Sequence, residues 1–256
     1  MAIRVAAKTD IGKVRVTNED AFGIFPDTGF YVVADGMGGH AGGEVASALA
    51  IETMQASLKA TKGEDLTPAI DAAGQTTVEG SRLLVAVGQA NDVVLTKGRE
   101  DPQLKGMGTT IASVLLDDQQ KQITVCHVGD SRVYRIRGKN IELLTEDHSL
   151  AQQLLRDGKL NPEELKTFPH RNVLIQAVGL NDTVQPAIRV ELLEPGDLFV
   201  LCSDGVSGPL NESEILAVVS GKGGDLSGIC DSLLSLANER GGKDNGTVML
   251  LSYDRA

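Results

Sequence analysis

The apolar run Tyr31-Val32-Val33-Ala34 ends on a carboxylate, Asp35, and opens directly into Gly36-Met37-Gly38-Gly39-His40-Ala41-Gly42-Gly43-Glu44. Five glycines fall within eight residues, and a regular helical run, Val45 to Leu58, follows. A buried strand, an aspartate at its end, a bare backbone and then a helix leave few folds open. The glycines permit positive φ and close approach of a ligand. A carboxylate, an exposed backbone and a histidine together suit a site for a cation and an anion at once. The loop is not a Walker loop, because no Gly-Lys-Ser/Thr closes it, nor is it a dinucleotide G-x-G-x-x-G. Glycine-rich strand-to-helix turns are common, so the rest of the chain has to decide what this one does.

A net charge of −11 argues against nucleic acid as the main partner, since phosphate backbones are held by a surplus of Lys and Arg. It poses the same problem for any phosphate ester, which an acidic protein meets with local positive charge such as bound metal ions. Aromatics make up 3% of the chain and Trp is absent, so the core is expected to be built of Val, Leu, Ile and Ala. The length, 256 residues, allows one large domain or two small ones. With no linker-like stretch and no internal repeat, residues 1–256 are read as one domain. Cys126, Cys202 and Cys230 have no CxxC spacing and read as reduced, buried thiols of a cytoplasmic protein. The start, Met1-Ala2-Ile3-Arg4-Val5, has no long apolar run, so neither a signal peptide nor a membrane span is expected.

Taken in order, Ile3 to Ala7 is a short strand, followed by a segment that sets Arg15 before Asn18-Glu19-Asp20. Ala21 to Phe25 and Phe30 to Ala34 read as a hairpin around Pro26-Asp27-Thr28-Gly29, which puts Asp20 and Asp35 at the same end of two paired strands. Glu44 to Lys59 has helical spacing. Thr67-Pro68 is expected to open a second helix running to about Lys97, with a kink near Gly80. Strands at Thr110–Leu116, Gln122–Val128, Arg132–Arg137 and Asn140–Leu144 have short connections and read as a meander. Residues 149–180 form a helical flap, with short helices at Leu150–Gly158 and Pro162–Lys166. A hairpin from Ile188 to Cys202, helices at Ser213–Val219 and Asp225–Glu239 and a strand at Thr247–Leu251 complete the chain. Blocks of strands and helix pairs with antiparallel connections predict an α+β fold, sheet packed on sheet with helices outside.

Four aspartates share one context, the end of an apolar strand with a glycine at or near the turn: Asp35, Asp130, Asp204 and Asp244. Aspartate favours turns, so any one of them is ordinary. Four gathered at one end of a sandwich would repel each other or protonate unless cations intervene. Oxygen ligands point to Mg²⁺, Mn²⁺ or Ca²⁺ before Zn²⁺. His127 lies inside an apolar strand and reads as a core residue; His148 anchors the start of the flap; His170 sits at the surface. His40, in the glycine loop five residues after Asp35, is placed as a proton donor to a metal-held phosphate.

With these motifs in order, the chain resembles the bacterial metal-dependent Ser/Thr protein phosphatases of type 2C, the PPM family. The resemblance rests on Arg15 with Asn18-Glu19-Asp20, Asp35-Gly36-Met37-Gly38-Gly39-His40, Gly106-Met107-Gly108-Thr109-Thr110, Val128-Gly129-Asp130-Ser131-Arg132, Asp147-His148-Ser149, Arg171-Asn172-Val173, Ser203-Asp204-Gly205 and Asp244-Asn245-Gly246-Thr247. It implies a four-layer αββα sandwich of two mainly antiparallel sheets flanked by helix pairs, with a small flap. It also implies two to three divalent ions, Mn²⁺ or Mg²⁺. Asp35 would bridge two of them, the Gly36 carbonyl, Asp204 and Asp244 would complete the protein ligands, and Glu19 and Asp20 would hold waters. Asp130 with Asp204 would hold the third ion, Arg15 would bind the substrate phosphate and His40 would be the general acid. The activity implied is hydrolysis of phosphoserine and phosphothreonine in proteins by a hydroxide bridging two ions, which lower its pKa. A monomer opposing a bacterial Ser/Thr kinase is implied as well.

The chain departs from the family at Gln176, where many members carry Arg, and at Phe168-Pro169-His170, where the usual order is His-Pro. Both lie at the flap and bear on substrate preference. Two other classes compete with an active phosphatase. One is a silent phosphoprotein-binding module on the same fold, which loss of a metal aspartate would favour; none is lost. The other is a nucleotide-binding enzyme, for which Walker and kinase signatures are missing.

Overall fold

The computed structural model describes residues 2–38, 42–165, 168–221 and 224–254. In chain order these form β1 (Ala2–Asp10), β2 (Asp20–Phe25), β3 (Phe30–Met37), α1 (Gly42–Ala60), β4 (Ala69–Ile70), β5 (Thr76–Thr77), α2 (Val78–Glu100), β6 (Gly108–Thr109), β7 (Ile111–Asp117), β8 (Gln122–Val128), β9 (Arg132–Arg137) and β10 (Asn140–Leu143). Then come α3 (Leu150–Arg156), α4 (Pro162–Leu165), β11 (Ala187–Leu192), β12 (Leu198–Cys202), α5 (Asp204–Ser207), α6 (Glu212–Ser220), α7 (Leu226–Glu239) and β13 (Gly246–Asp254).

Two antiparallel sheets face each other. One runs β1-β13-β12-β9-β10; the other runs β11-β8-β7-β3-β2, with β6 paired to the end of β3. The side chains of β3 alternate, as a strand requires. Phe30, Val32 and Ala34 meet Ala46, Ala50 and Met54 of α1 and Leu83, Ala86 and Ala90 of α2. Tyr31 and Val33 turn the other way, toward Phe199 and Leu201 of β12 and Met249 and Leu251 of β13. Val200 and Cys202 of β12 in turn face Ile215 of α6 and Cys230 and Leu233 of α7. Three stacked apolar layers thus build the expected αββα sandwich, with strands buried on both faces reading as continuous apolar runs. The three cysteines are free and buried.

Several expectations for local structure need correction. Residues 67–77 are not the start of a helix but the small β4–β5 hairpin, and α2 begins at Val78 with Thr77 as its cap. The cause is Asp71, whose carboxylate accepts from the N–H groups of Ala73 and Gln75 and, from far along the chain, Val190. Gly80 lies in the first turn of α2, where its N–H is capped by Thr77, so the break falls ahead of it. The meander is two hairpins, β7–β8 and β9–β10, one in each sheet, because the chain crosses between sheets at Gly129-Asp130-Ser131. Likewise β11 and β12 are not a hairpin: β11 pairs β8, and β12 lies between β9 and β13. Of the flap, α3 and α4 are present, and Leu174 and Val178 bridge to Ser149 and Thr109.

Candidate metal centre

The alternation that buries Tyr31 and Val33 between the sheets carries Asp35 to the same side at the strand's end. Its register partner on β2 is Asp20. Residues directly opposite in an antiparallel pair share a face, with Cβ atoms about 5 Å apart, and like charges there destabilise. The crossing after β8 brings Asp130 to this end, β12 runs up to Asp204, and β13 starts just after Asp244. The topology thus gathers all five aspartates at one mouth of the sandwich. Ser203, continuing the inward row of Phe199 and Leu201, donates its hydroxyl to Asp20 Oδ2 at 2.8 Å and accepts the Thr247 N–H at 2.9 Å.

Backbones are pressed together around these side chains. A Cβ on Gly36 would stand 2.0 Å from the Gly43 carbonyl oxygen and 2.5 Å from that of Glu19. A Cβ on Gly205 would stand 1.8 Å from the Asn245 carbonyl oxygen. Glycine is required at both positions by contact, not by φ. Glu19 accepts the N–H of Gly43 in the first turn of α1, so its carboxylate sits against the helix N-terminus.

The loop between β1 and β2, which carries Arg15, is held by one side chain. Asn245 donates to the carbonyls of Ile11 (3.0 Å) and Thr17 (2.9 Å) and accepts the Glu19 N–H (2.9 Å). Arg15 Nη2 reaches Asp244 Oδ2 at 2.8 Å. On the other side, Arg132 grips Asp147 with two bonds of 2.9 and 2.7 Å, and Thr110 Oγ1 joins the Asp35 N–H to the Ser131 hydroxyl.

The electrostatics are those of a crowded anion cluster. Loss of water and then the charges of Asp20, Asp204, Asp130 and Asp244 push Asp35 well above the usual carboxylate range. Burial first, opposed by hydrogen bonds from Thr247 and Ser203, carries Asp20 to about 6. Asp130 rises to about 7, through burial and then Asp204 and Asp147. Asp204 rises through burial and Asp244, while a hydrogen bond with Asp35 pulls it down. Glu19 is raised chiefly by burial.

Three observations test whether divalent cations fit. The donor set is all oxygen, as hard cations require. Asp20 Oδ1 is buried and has no hydrogen-bond partner; such a group calls for an ion or a water. Asp35 and Asp204 come into hydrogen-bonding contact, which two carboxylates tolerate only with a proton or a cation between them. Among the described residues no three acidic, His or Cys side chains close on one point. Divalent ions at this end would therefore need water and backbone carbonyl beside the carboxylates, a donor set that Mg²⁺ accepts. On these grounds the residues fit.

The structure brings Arg15, Glu19, Asp20, Asp35, Gly36, Asp130, Asp204 and Asp244 together. His40 lies outside the described residues. His127 is buried, its Nε2 against the Glu146 carbonyl, and its ring packs at a tilt against that of His148, 4.6 Å between centroids. His148 Nδ1 accepts from the Gly129 N–H, so it braces the Asp130 loop besides preceding α3. The cap of α3 is Ser149. Ser203, Asn245 and Arg132 carried no role in the sequence; each lies within two residues of a singled-out aspartate, but only strand parity and loop contact reveal what it holds.

The protein phosphatase 2C family profile matches residues 13–240. The serine/threonine phosphatase stp of Listeria monocytogenes is 33% identical over 250 residues, covering 96% of this chain and 94% of that protein. The crystal structure of the Mycobacterium tuberculosis serine/threonine phosphatase PstP/Ppp superposes with a TM-score of 0.86 at 31% identity, covering 100% of both chains. A structure of the PstP catalytic domain in complex with two manganese ions gives a TM-score of 0.82 at 31% identity over 99% of each chain. A profile spanning most of the chain and relatives of matching length agree with the gathered aspartates: the chain belongs to the protein phosphatase 2C family.

Proposed function

We propose that the protein is a metal-dependent phosphatase that hydrolyses phosphoserine and phosphothreonine in proteins. The observation that carries this reading is the convergence of five aspartates, one with an orphaned buried oxygen, beside an arginine on a stapled loop. In this reading Asp35, the Gly36 carbonyl, Asp204 and Asp244 hold two divalent ions, Mn²⁺ or Mg²⁺. Glu19 and Asp20 order their waters, and Asp130 with Asp204 takes a third ion. When bound, the ions supply an activated water and the positive charge that admits a phosphate into an acidic site. Arg15 offers a planar fork to the phosphate oxygens. Asn245 fixes the loop from which Arg15 reaches, so the guanidinium need not be ordered on binding. His40 protonates the departing Ser or Thr oxygen, a role typically worth about 10²–10⁴-fold.

Residues 1–256 act as one catalytic unit with 149–180 as its flap. Among the described residues no helix is long and apolar enough to cross a membrane, and the reading extends to a cytoplasmic monomer that opposes a Ser/Thr kinase. The test is hydrolysis of a phosphothreonine peptide with EDTA, then with Mn²⁺ restored, beside Asp35→Ala. Turnover that dies in EDTA, returns with Mn²⁺ and is lost in the variant is expected. Full activity of folded Asp35→Ala refutes the assignment. A folded wild type that binds the phosphopeptide in excess Mn²⁺ without cleaving it is a binding module instead.

A further inference from the structure

A cleft of about 520 Å³ adjoins Asp204 and Asp244, and Arg171, Arg240 and Lys243 are among the residues that line it. Most cations around it are engaged. Arg15 holds Asp244, Arg132 holds Asp147, and Arg240 holds Glu214 and the Pro209 carbonyl. Lys243 is exposed, and among the described residues its ammonium makes no hydrogen bond or ion pair. The same is true of Lys13 on the neighbouring loop. The two loops are stitched together: the Lys13 N–H donates to the Gly242 carbonyl at 2.7 Å, and Lys13 Cγ lies 3.1 Å from where a Cβ on Gly242 would stand. Among the described residues, Lys243 on the cleft wall and Lys13 on the loop stitched to it are thus two neighbouring cations without a partner, in a chain of net charge −11.

If the phosphorylated residue sits at the aspartates, as the proposed function has it, its sequence neighbours lie along this cleft. Once the acidic floor is neutralised by bound cations, the rim is the part whose charge is left for the peptide to meet. We infer that Lys13 and Lys243 select substrates with a second negative charge beside the phosphorylated residue, either an acidic side chain or a second phosphate. The lysines reach the flank and not the reacting phosphate, so they act alike on bound substrate and transition state. The selection then appears in KM more than in kcat.

The test compares kcat/KM for three phosphothreonine peptides of one length, with neutral, glutamate-bearing and second-phosphothreonine flanks, and includes p-nitrophenyl phosphate. Two exposed ion pairs predict a preference of about fivefold for an anionic flank, fading as salt shortens the screening length. The Glu and phosphate arms identify which anion is read. The double variant Lys13→Glu with Lys243→Glu is expected to reverse the preference, and Lys243→Ala to reduce it. Equal kcat/KM for wild type on all three peptides, with p-nitrophenyl phosphate still hydrolysed, overturns the inference and leaves the phosphatase reading standing. A preference that survives charge reversal overturns it too. No hydrolysis of any substrate with Mn²⁺ present overturns the phosphatase reading and, with it, the selection that rests on it.

Discussion

Asn245→Ala offers a quantitative test of how the site is held. The side chain is buried and makes three bonds to the backbone of residues 11–19: two donated, at 3.0 and 2.9 Å, and one accepted, at 2.9 Å. Each is worth about 0.5–1.5 kcal/mol net, and the alanine leaves two carbonyls and an N–H seeking other partners. Partial rescue by water near the surface limits the loss to about 2–4 kcal/mol, or a fall in Tm of roughly 5–12 °C in a chain of this size. Because Arg15 stands on the freed loop, KM for a phosphopeptide should rise as well. The decisive comparison is Asn245→Asp. That change keeps shape and acceptor, but sets an anionic oxygen against the carbonyls of Ile11 and Thr17 and adds charge beside Asp244. The more conservative substitution should therefore be the worse one, by about 1 kcal/mol or more relative to alanine. Denaturant unfolding in EDTA measures both. An aspartate variant as stable as wild type, or an alanine loss under about 0.5 kcal/mol, refutes the staple.

Three further outcomes follow from the same geometry. Gly205→Ala forces a Cβ against the backbone oxygen of Asn245 and should cost about 3 kcal/mol. Gly88→Ala meets nothing within 4 Å inside α2 and should stabilise by about 0.5–1 kcal/mol; equal effects of the two in chemical denaturation would refute the contact reading. Burial, then the neighbouring His127, lowers His148 to about 4 from its ordinary 6.5. The unfolded chain thus binds more protons between these values, and the contribution to stability is lost as pH falls from about 6.5 to about 4. Scans of Tm against pH should be flatter over that window for His148→Gln than for wild type, and parallel curves would contradict this. Mn²⁺ and inorganic phosphate should each tighten the other by the same factor in titration calorimetry, because linkage is reciprocal. Phosphate binding that is indifferent to Mn²⁺ would mean protons, not metal, neutralise the cluster.

What was legible in the sequence was local. Asp20 and Asp35 frame one hairpin, and strand parity carried their pairing without knowledge of the rest. The layers were legible because runs such as Leu198–Cys202 are apolar throughout and need cover on both faces. What stayed hidden was set by distant partners. Gly129-Asp130-Ser131 has the length of a hairpin turn, yet it crosses between sheets, since β9 finds β12 across more than sixty residues. Thr67-Pro68 carries a helix-start signal, but the Asp71 carboxylate accepts from Ala73, Gln75 and the distant Val190, which holds the segment as a hairpin. Ser203 stood in the sequence only as the residue before Asp204, and the packing of β12 beneath β3 shows it donating to Asp20.

The charge distribution ties these features together. A chain of net charge −11 that binds a phosphate cannot rely on its overall field, which repels the ligand. The cations that matter must be local, and most are held by carboxylates: Arg15 by Asp244, Arg132 by Asp147. Such pairs cancel at a distance and act only at contact, where the guanidinium fork keeps further N–H donors for an incoming oxygen. The aspartates between them are raised in pKa by burial and mutual repulsion, so they gain most from whatever cation enters. Burial of the acids and the expected dependence of anion binding on cation binding then have one physical cause. The burial and mutual repulsion that raise these carboxylates are the same features that would favour a cation among them, and a bound cation would in turn favour a phosphate.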